Sequence, residues 1–174
     1  MIRQLSLIAL ASLGLAGCGG TAPQGPAPQG NAPRGAAESA SRLLTAAYRG
    51  DRVAFEAQID RPAVREDVRR QVTRLAQATT LDVDGGPSEF ALDRMISPQA
   101  FRLVHAGTGK ALTSAPTARQ VAPLMRTLDA RHACLLDAAS PKHCLLTFAK
   151  DKDRWRLVGM RAMGLRIELA DART

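Results

Sequence analysis

Aromatic side chains are scarce in this chain of 174 residues, at 3%: one Trp, one Tyr and four Phe. A core must therefore be assembled from Leu, Val, Ile, Met and Ala. Histidine is scarcer, with three, which leaves little from which to build acid–base chemistry. GxSxG, HExxH and CxxC are all missing, and with them the common hydrolase and zinc signatures. Long apolar runs are missing too. The greasiest stretch, Leu5 to Leu15, measures about 15 Å as a helix, half of the ~30 Å that a membrane span needs. No segment of the sequence specifies a reaction.

What is present begins at the N-terminus. Arg3 precedes the apolar stretch, and small residues close it, the arrangement of an export signal. A short anchor or a buried core helix is the structural alternative. The stretch ends in Leu15-Ala16-Gly17-Cys18, which resembles the lipobox of bacterial lipoproteins. The resemblance implies that Leu15, Ala16 and Gly17 are read by the signal peptidase and that the Cys18 thiol takes a diacylglycerol. Cys18 then becomes the N-terminus of the mature chain, and its amine is usually acylated as well. One acyl chain holds a protein to a membrane only marginally, whereas two or more anchor it stably. Gly19 follows the cysteine, not the aspartate that marks inner-membrane retention. The expected location is the periplasmic face of the outer membrane, with the inner membrane as the alternative.

The formal charge is +8, from 24 Lys and Arg against 16 Asp and Glu. Removal of the leader takes Arg3 and leaves +7. A basic balance invites a nucleic-acid reading. Export, scattered arginines and the lack of an aromatic-rich RNA motif argue against it, so no nucleic-acid partner is expected. A solvated surface or anionic phospholipid headgroups account for the charge.

Residues 19–36 read GGTAPQGPAPQGNAPRGA, with APQG twice and APRG once. Proline removes donors and glycine adds chain entropy, so this is a semi-extended tether that reaches at most about 50 Å. The expected organisation is a signal over 1–17, the lipidated Cys18 and tether over 18–36, one domain over 37–169 and a tail over 170–174. About 140 residues remain after the signal and tether, enough for one core.

From Ala36 the pattern is helical, with Ala40, Leu43, Leu44, Ala47 and Tyr48 on one face and Gly50 as the stop. Asp51 is placed to cap a short helix carrying Phe55 and Ile59. Pro62 suits a first helical turn, and Val64, Val68, Val72 and Leu75 then form a stripe. Glu66 and Arg70 are spaced to pair on the wet face. Asp84-Gly85-Gly86-Pro87 breaks the chain. Phe90, Leu92, Met95 and Ile96 mark another short helix. Ser97-Pro98 is expected to open one more, containing Phe101, Leu103, Val104 and His105. Residues 107–120 read as a loop.

The last third changes period. Cys134–Leu136, Cys144–Phe148 and Trp155–Val158 read as strands, joined by turns at 139–142 and 150–153. Leu165 to Leu169 is a further strand or a tail. The fold class is α+β, N-terminal helices packed on a C-terminal antiparallel meander. With Cys18 lipidated, Cys134 and Cys144 remain as an even pair, and a disulfide between neighbouring strands is within reach if they sit opposite each other. Two buried free thiols are the alternative. His132, Cys134, His143 and Cys144 also raise a metal reading. Alternation sends His143 and Cys144 to opposite sheet faces, so all four cannot converge, and neither metal nor cofactor is expected.

The stretch AAYRGDRVAFEAQIDRPAVREDVRRQV, residues 46–72, resembles an uncharacterised bacterial family, domain-of-unknown-function family 2939. Gly50-Asp51, Asp60, Pro62-Ala63-Val64-Arg65 and Gln71 match its pattern. LDRMISPQAF, residues 92–101, and RWRLVGMR, residues 154–161, are similar to its later segments. Arg61 stands where the family carries an aromatic. AAYRGD alone is similar to an ankyrin turn, but no second copy follows. The family has no established activity, so the resemblance implies a fold.

Other candidate chemistry is thin. Gly107-Thr108-Gly109-Lys110 lacks the glycine spacing and preceding strand of a phosphate loop. Asp82 and Asp84 supply too few oxygens for a calcium loop. Asp51 and Asp60 read as cap or turn residues before general acids. The sequence thus describes a non-catalytic, lipid-anchored binding or envelope-maintenance module, whose partner is an envelope protein or an amphipathic ligand. The competing classes are a hydrolytic enzyme with a helix–sheet cleft and a purely structural envelope spacer.

Overall fold

A four-stranded antiparallel sheet, ordered β2-β3-β4-β5, forms one side of the structure. The structure is a computed structural model and describes residues 34–79 and 86–170. The signal, the lipobox residues Leu15, Ala16, Gly17 and Cys18, the tether up to residue 33, Asp82 and Asp84 lie outside the described residues. The strands are β2 (Met125–Thr127), β3 (His132–Leu136), β4 (Cys144–Asp151) and β5 (Arg154–Met160). The helices are α1 (Arg34–Arg49), α2 (Arg52–Glu56), α3 (Arg61–Ala78), α4 (Glu89–Met95) and α5 (Ala118–Val121). The architecture is α+β, as the change of period indicates.

Local chemistry sets the helix ends. α1 is already helical at Arg34, the first described residue and two before the apolar pattern becomes legible, and it buries Ala36, Leu43 and Leu44. Gly50 stops it at φ +67°, a conformation that glycine adopts without steric cost. Asp51 NH then bonds back to the Ala46 carbonyl at 2.9 Å, satisfying an end-of-helix acceptor. The Asp51 carboxylate accepts from Ala54 NH at 2.9 Å and caps α2. The Asp60 carboxylate accepts from Ala63 NH at 3.2 Å and caps α3, with Pro62 in its first turn.

The core joins both halves. Phe55 meets Phe101 edge-to-face, with centroids 5.3 Å apart. Phe148 and Leu157, paired across β4 and β5, are fully buried. Each such side chain contributes roughly 1.5–3 kcal/mol by leaving water. Three expected core positions lie outside: Tyr48, Leu75 and Phe90 are 39%, 46% and 72% exposed. The α3 stripe is buried at Val64 and Val68, partly covered at Val72, and leaves the domain by Leu75.

Several expectations are corrected. Pro98 opens a single 3-10 turn (Pro98–Ala100), not a helix. Ser97 makes no side-chain cap bond to it, and its hydroxyl donates instead to the Arg94 carbonyl at 2.9 Å. Leu103, Val104 and His105 belong to β1 (Arg102–His105), which pairs in parallel with β6 (Arg166–Leu169). A distant partner strand overrides the local Ser-Pro helix signal. Leu165 to Leu169 is accordingly strand rather than tail. Ile59 leaves α2 to form a parallel bridge with Leu157. Thr117 and Gln120 form a capping box that starts α5 at the end of the expected loop. The short strand β2 had no sequence signal.

α3 covers the free edge of β5. Asp60 NH donates to the Leu157 carbonyl at 2.8 Å, and Leu157 NH donates to Gln58 at 2.9 Å. Beyond that bridge, side chains take over. Met160 NH donates to Asp67 Oδ2 at 3.2 Å, and Gln71 Nε2 donates to the Met160 carbonyl at 2.8 Å. Ala162 NH donates to Gln71 Oε1 at 3.0 Å. Gly159 permits the approach, since a Cβ there would lie 2.9 Å from Asp67 Oδ2.

Gln71→Ala strands the Met160 carbonyl and Ala162 NH, and the expected loss is about 1–3 kcal/mol. Gly159→Ala displaces the Asp67 carboxylate at a similar cost of about 1–3 kcal/mol. Urea denaturation measures both, and midpoints equal to wild type contradict this account of the edge.

Candidate functional site

Cys134 and Cys144 are bonded, with S–S 2.07 Å and Cα–Cα 5.6 Å. They are not directly opposite. Cys134 faces Thr147, while Cys144 faces Leu136 after a register shift between Leu135 and Leu136. That bulge brings Cys144 diagonally within reach. Alternation turns the bridge away from the core residues Ala133 and Leu135.

The hairpin separates its histidines. His132 opens β3, and its Nδ1 lies 2.8 Å from Asp129 Oδ2. Asp129 also accepts from the Arg131 and His132 amides at 2.7 and 2.8 Å. The Arg131 amide first, then the His132 ring, hold its carboxyl below the usual range. His143 sits in the turn at the other end, with Nδ1 2.7 Å from Ser140 Oγ. The four residues of the metal reading are thus split between a disulfide and two hairpin ends. Among the described residues, no three His, Cys, Asp or Glu side chains gather as a metal site. The Gly107–Lys110 segment folds back on β1, where His105 NH donates to the Lys110 carbonyl at 2.8 Å.

Four of the five arginines of α3 engage carboxylates around them. Arg61 pairs with Glu56 of α2 and, at 2.9 Å, with Asp93 of α4, and it donates to the Ile96 carbonyl at 3.0 Å. Arg65 pairs with Asp93 and with Glu89, the latter at 3.3 Å. Arg69 joins Glu89 to Glu66, and Arg70 reaches Glu66 at 3.5 Å, the pair that the i,i+4 spacing predicts. Hydrogen bonding to Arg65 holds the Asp93 carboxyl below its usual range, and both arginines add to the effect. Hydrogen bonding to Glu56 raises Arg61 further above its already high pKa. Arg61 thus ties α2, α3 and α4 together. Beside this lattice lies an open cleft of about 540 Å³ that contains Arg52, Phe90, Asp93 and Arg94.

A second cleft, of about 500 Å³, lies between α1, the α2–α3 linker and β5. It is lined by Arg42, Arg154 and Arg156 with Ala57, Gln58 and Trp155. Arg42 Nη2 donates to Ser39 Oγ at 2.8 Å, and buried Ser39 donates on to the Trp155 carbonyl at 2.9 Å. Arg42 Nε donates to Gln58 Oε1 at 3.3 Å. Arg156 Nη2 donates to the Ile59 carbonyl, and its buried Nε has no protein partner. Sequence reasoning missed this cluster. Its only local trace is the Arg154-x-Arg156 spacing, which puts two side chains on one strand face.

No family model, curated protein or solved structure matches the chain.

Closing so short a loop, the Cys134–Cys144 bridge contributes about 2–3 kcal/mol. Cys134→Ala/Cys144→Ala should lose that amount in urea, and an unchanged midpoint refutes it. The folded pKa of Asp93 is lowered, so its ion pairs stabilise above the ordinary carboxylate range. That stability is lost as pH falls through the depressed value. Its side chain is 38% exposed, so the effect is small and screened by salt. Asp93→Asn should flatten the acid limb of midpoint against pH, whereas coincident limbs argue against the lattice.

Proposed function

We propose that this protein is a lipid-anchored, non-catalytic binding module on the periplasmic face of the outer membrane, with a fold of the family 2939 type. The Cys134–Cys144 bridge carries this reading, because structural disulfides persist in oxidising compartments such as the periplasm. The use of the polar side chains supports a binding role. Asp51 and Asp60 cap helices, Asp67 and Gln71 hold a strand edge, and Glu56, Glu89 and Asp93 pair with arginines. Those same positions carry much of the family resemblance at Asp51, Asp60 and Gln71, so the shared pattern describes scaffold. The partner is an envelope protein or an amphipathic ligand.

Fractionation of cells that express full-length Cys18→Ser tests the anchor. The wild type should sediment with outer membranes, and its N-terminal peptide should begin at an acylated Cys18. The variant should appear in the soluble fraction. Equal membrane retention of both chains, or an unmodified peptide beginning at Met1, overturns the proposal.

A further inference from the structure

We infer that the cleft lined by Arg42, Arg154 and Arg156 is an oxyanion site that takes a phosphate or phosphate-ester group. It deepens the binding-module reading and rests on that reading for its biological purpose, though not for its geometry.

The first argument is charge. Three guanidinium groups share one concavity, and no carboxylate lines it. Three other clefts each carry an aspartate: Asp93, Asp51 and Asp67. Arg61, Arg65, Arg69, Arg70, Arg161 and Arg166 are all paired with acids. Like charges gathered in a walled cleft repel more strongly than on an open surface, because protein replaces part of the screening water. Nothing in the cleft's lining relieves that repulsion, whereas a bound anion does.

The second argument is orientation by neutral partners. Ser39 is 2% exposed and anchors Arg42 to the β5 backbone through the Trp155 carbonyl. The Gln58 carbonyl oxygen holds the Arg42 Nε. The Ile59 carbonyl fixes one corner of Arg156 and engages a single nitrogen of its fork. Each partner is an uncharged oxygen, so the Arg42 and Arg156 guanidinium groups are positioned while their full charge is retained. Guanidinium forks match planar pairs of oxygens and bind phosphate bidentately. A carboxylate carries one negative charge against three positive ones. A phosphate monoester carries about −1.5 to −2 at neutral pH and balances the cluster better.

The test is calorimetric titration of the full-length, lipid-anchored protein in neutral detergent micelles at low salt. Inorganic phosphate is one titrant, and micelles doped with phosphatidylglycerol or phosphatidylcholine are the others. Arg156 braces the linker, so Arg42→Gln/Arg154→Gln is the diagnostic variant. Both side chains are exposed, and circular dichroism should match wild type. Phosphate should bind wild type and weaken about tenfold or more in the variant, the loss expected when two charge-assisted pairs are removed. Phosphatidylglycerol micelles that bind better than phosphatidylcholine, and lose that preference in the variant, identify a lipid headgroup. Equal binding of the two micelles alongside variant-sensitive phosphate binding identifies a soluble phosphate. The absence of phosphate binding, or equal binding by variant and wild type, overturns the site. Neither result touches membrane retention through Cys18, so the anchor proposal fails or stands separately.

Discussion

An open strand edge is the constraint around which this domain is arranged. β5 ends the four-stranded sheet, and an uncovered edge leaves a row of donors and acceptors ready to pair with another chain. Here backbone from Gln58 and Asp60 covers the middle, and Asp67 and Gln71 cover the end. Ser39 of α1 takes the Trp155 carbonyl at the start. Two helices and the linker between α2 and α3 are thereby tied to one strand. Apolar burial supplies most of the cohesion, but it is non-directional. The edge bonds give it a direction by fixing where α1 and α3 lie.

From α3 the constraint passes outward. Its arginines reach α2 and α4 through Glu56, Asp93 and Glu89. Exposed ion pairs are individually weak, at about 0–1 kcal/mol, and matter chiefly as a network. This network orients α4, whose buried Leu92, with Ile96 just after the helix, contributes to the core. Arg61 shows how one residue serves several segments, since it reaches Glu56, Asp93 and the Ile96 carbonyl at once.

Much of this was legible in the residues themselves. Asp51, Asp60 and Pro62 announce the starts of α2 and α3, because a cap acts on amides two or three positions away. Strands β3 to β5 announce themselves through apolar runs separated by turn residues. Cysteine counting offered the disulfide beside two free thiols, and its diagonal geometry depends on a bulge that no local pattern marks. What stayed hidden is non-local. β1 reads as helix at Ser97-Pro98 and becomes strand only because Ile167 and its neighbours lie alongside. Gly159 looks like an ordinary strand glycine until Asp67 is placed against it. Arg42 lies far along the chain from Arg154 and Arg156, so their shared cleft exists only in three dimensions.

The ordering of partners has a consequence for synthesis. β5 emerges from the ribosome long after α1 and α3, and β6 emerges later than β1 by most of the C-terminal half. The helices therefore reach the tunnel exit without the strand that locks them. Such a nascent chain lacks its main tertiary partners while its first half is already exposed, and the helices settle into place only once β5 and β6 have been made.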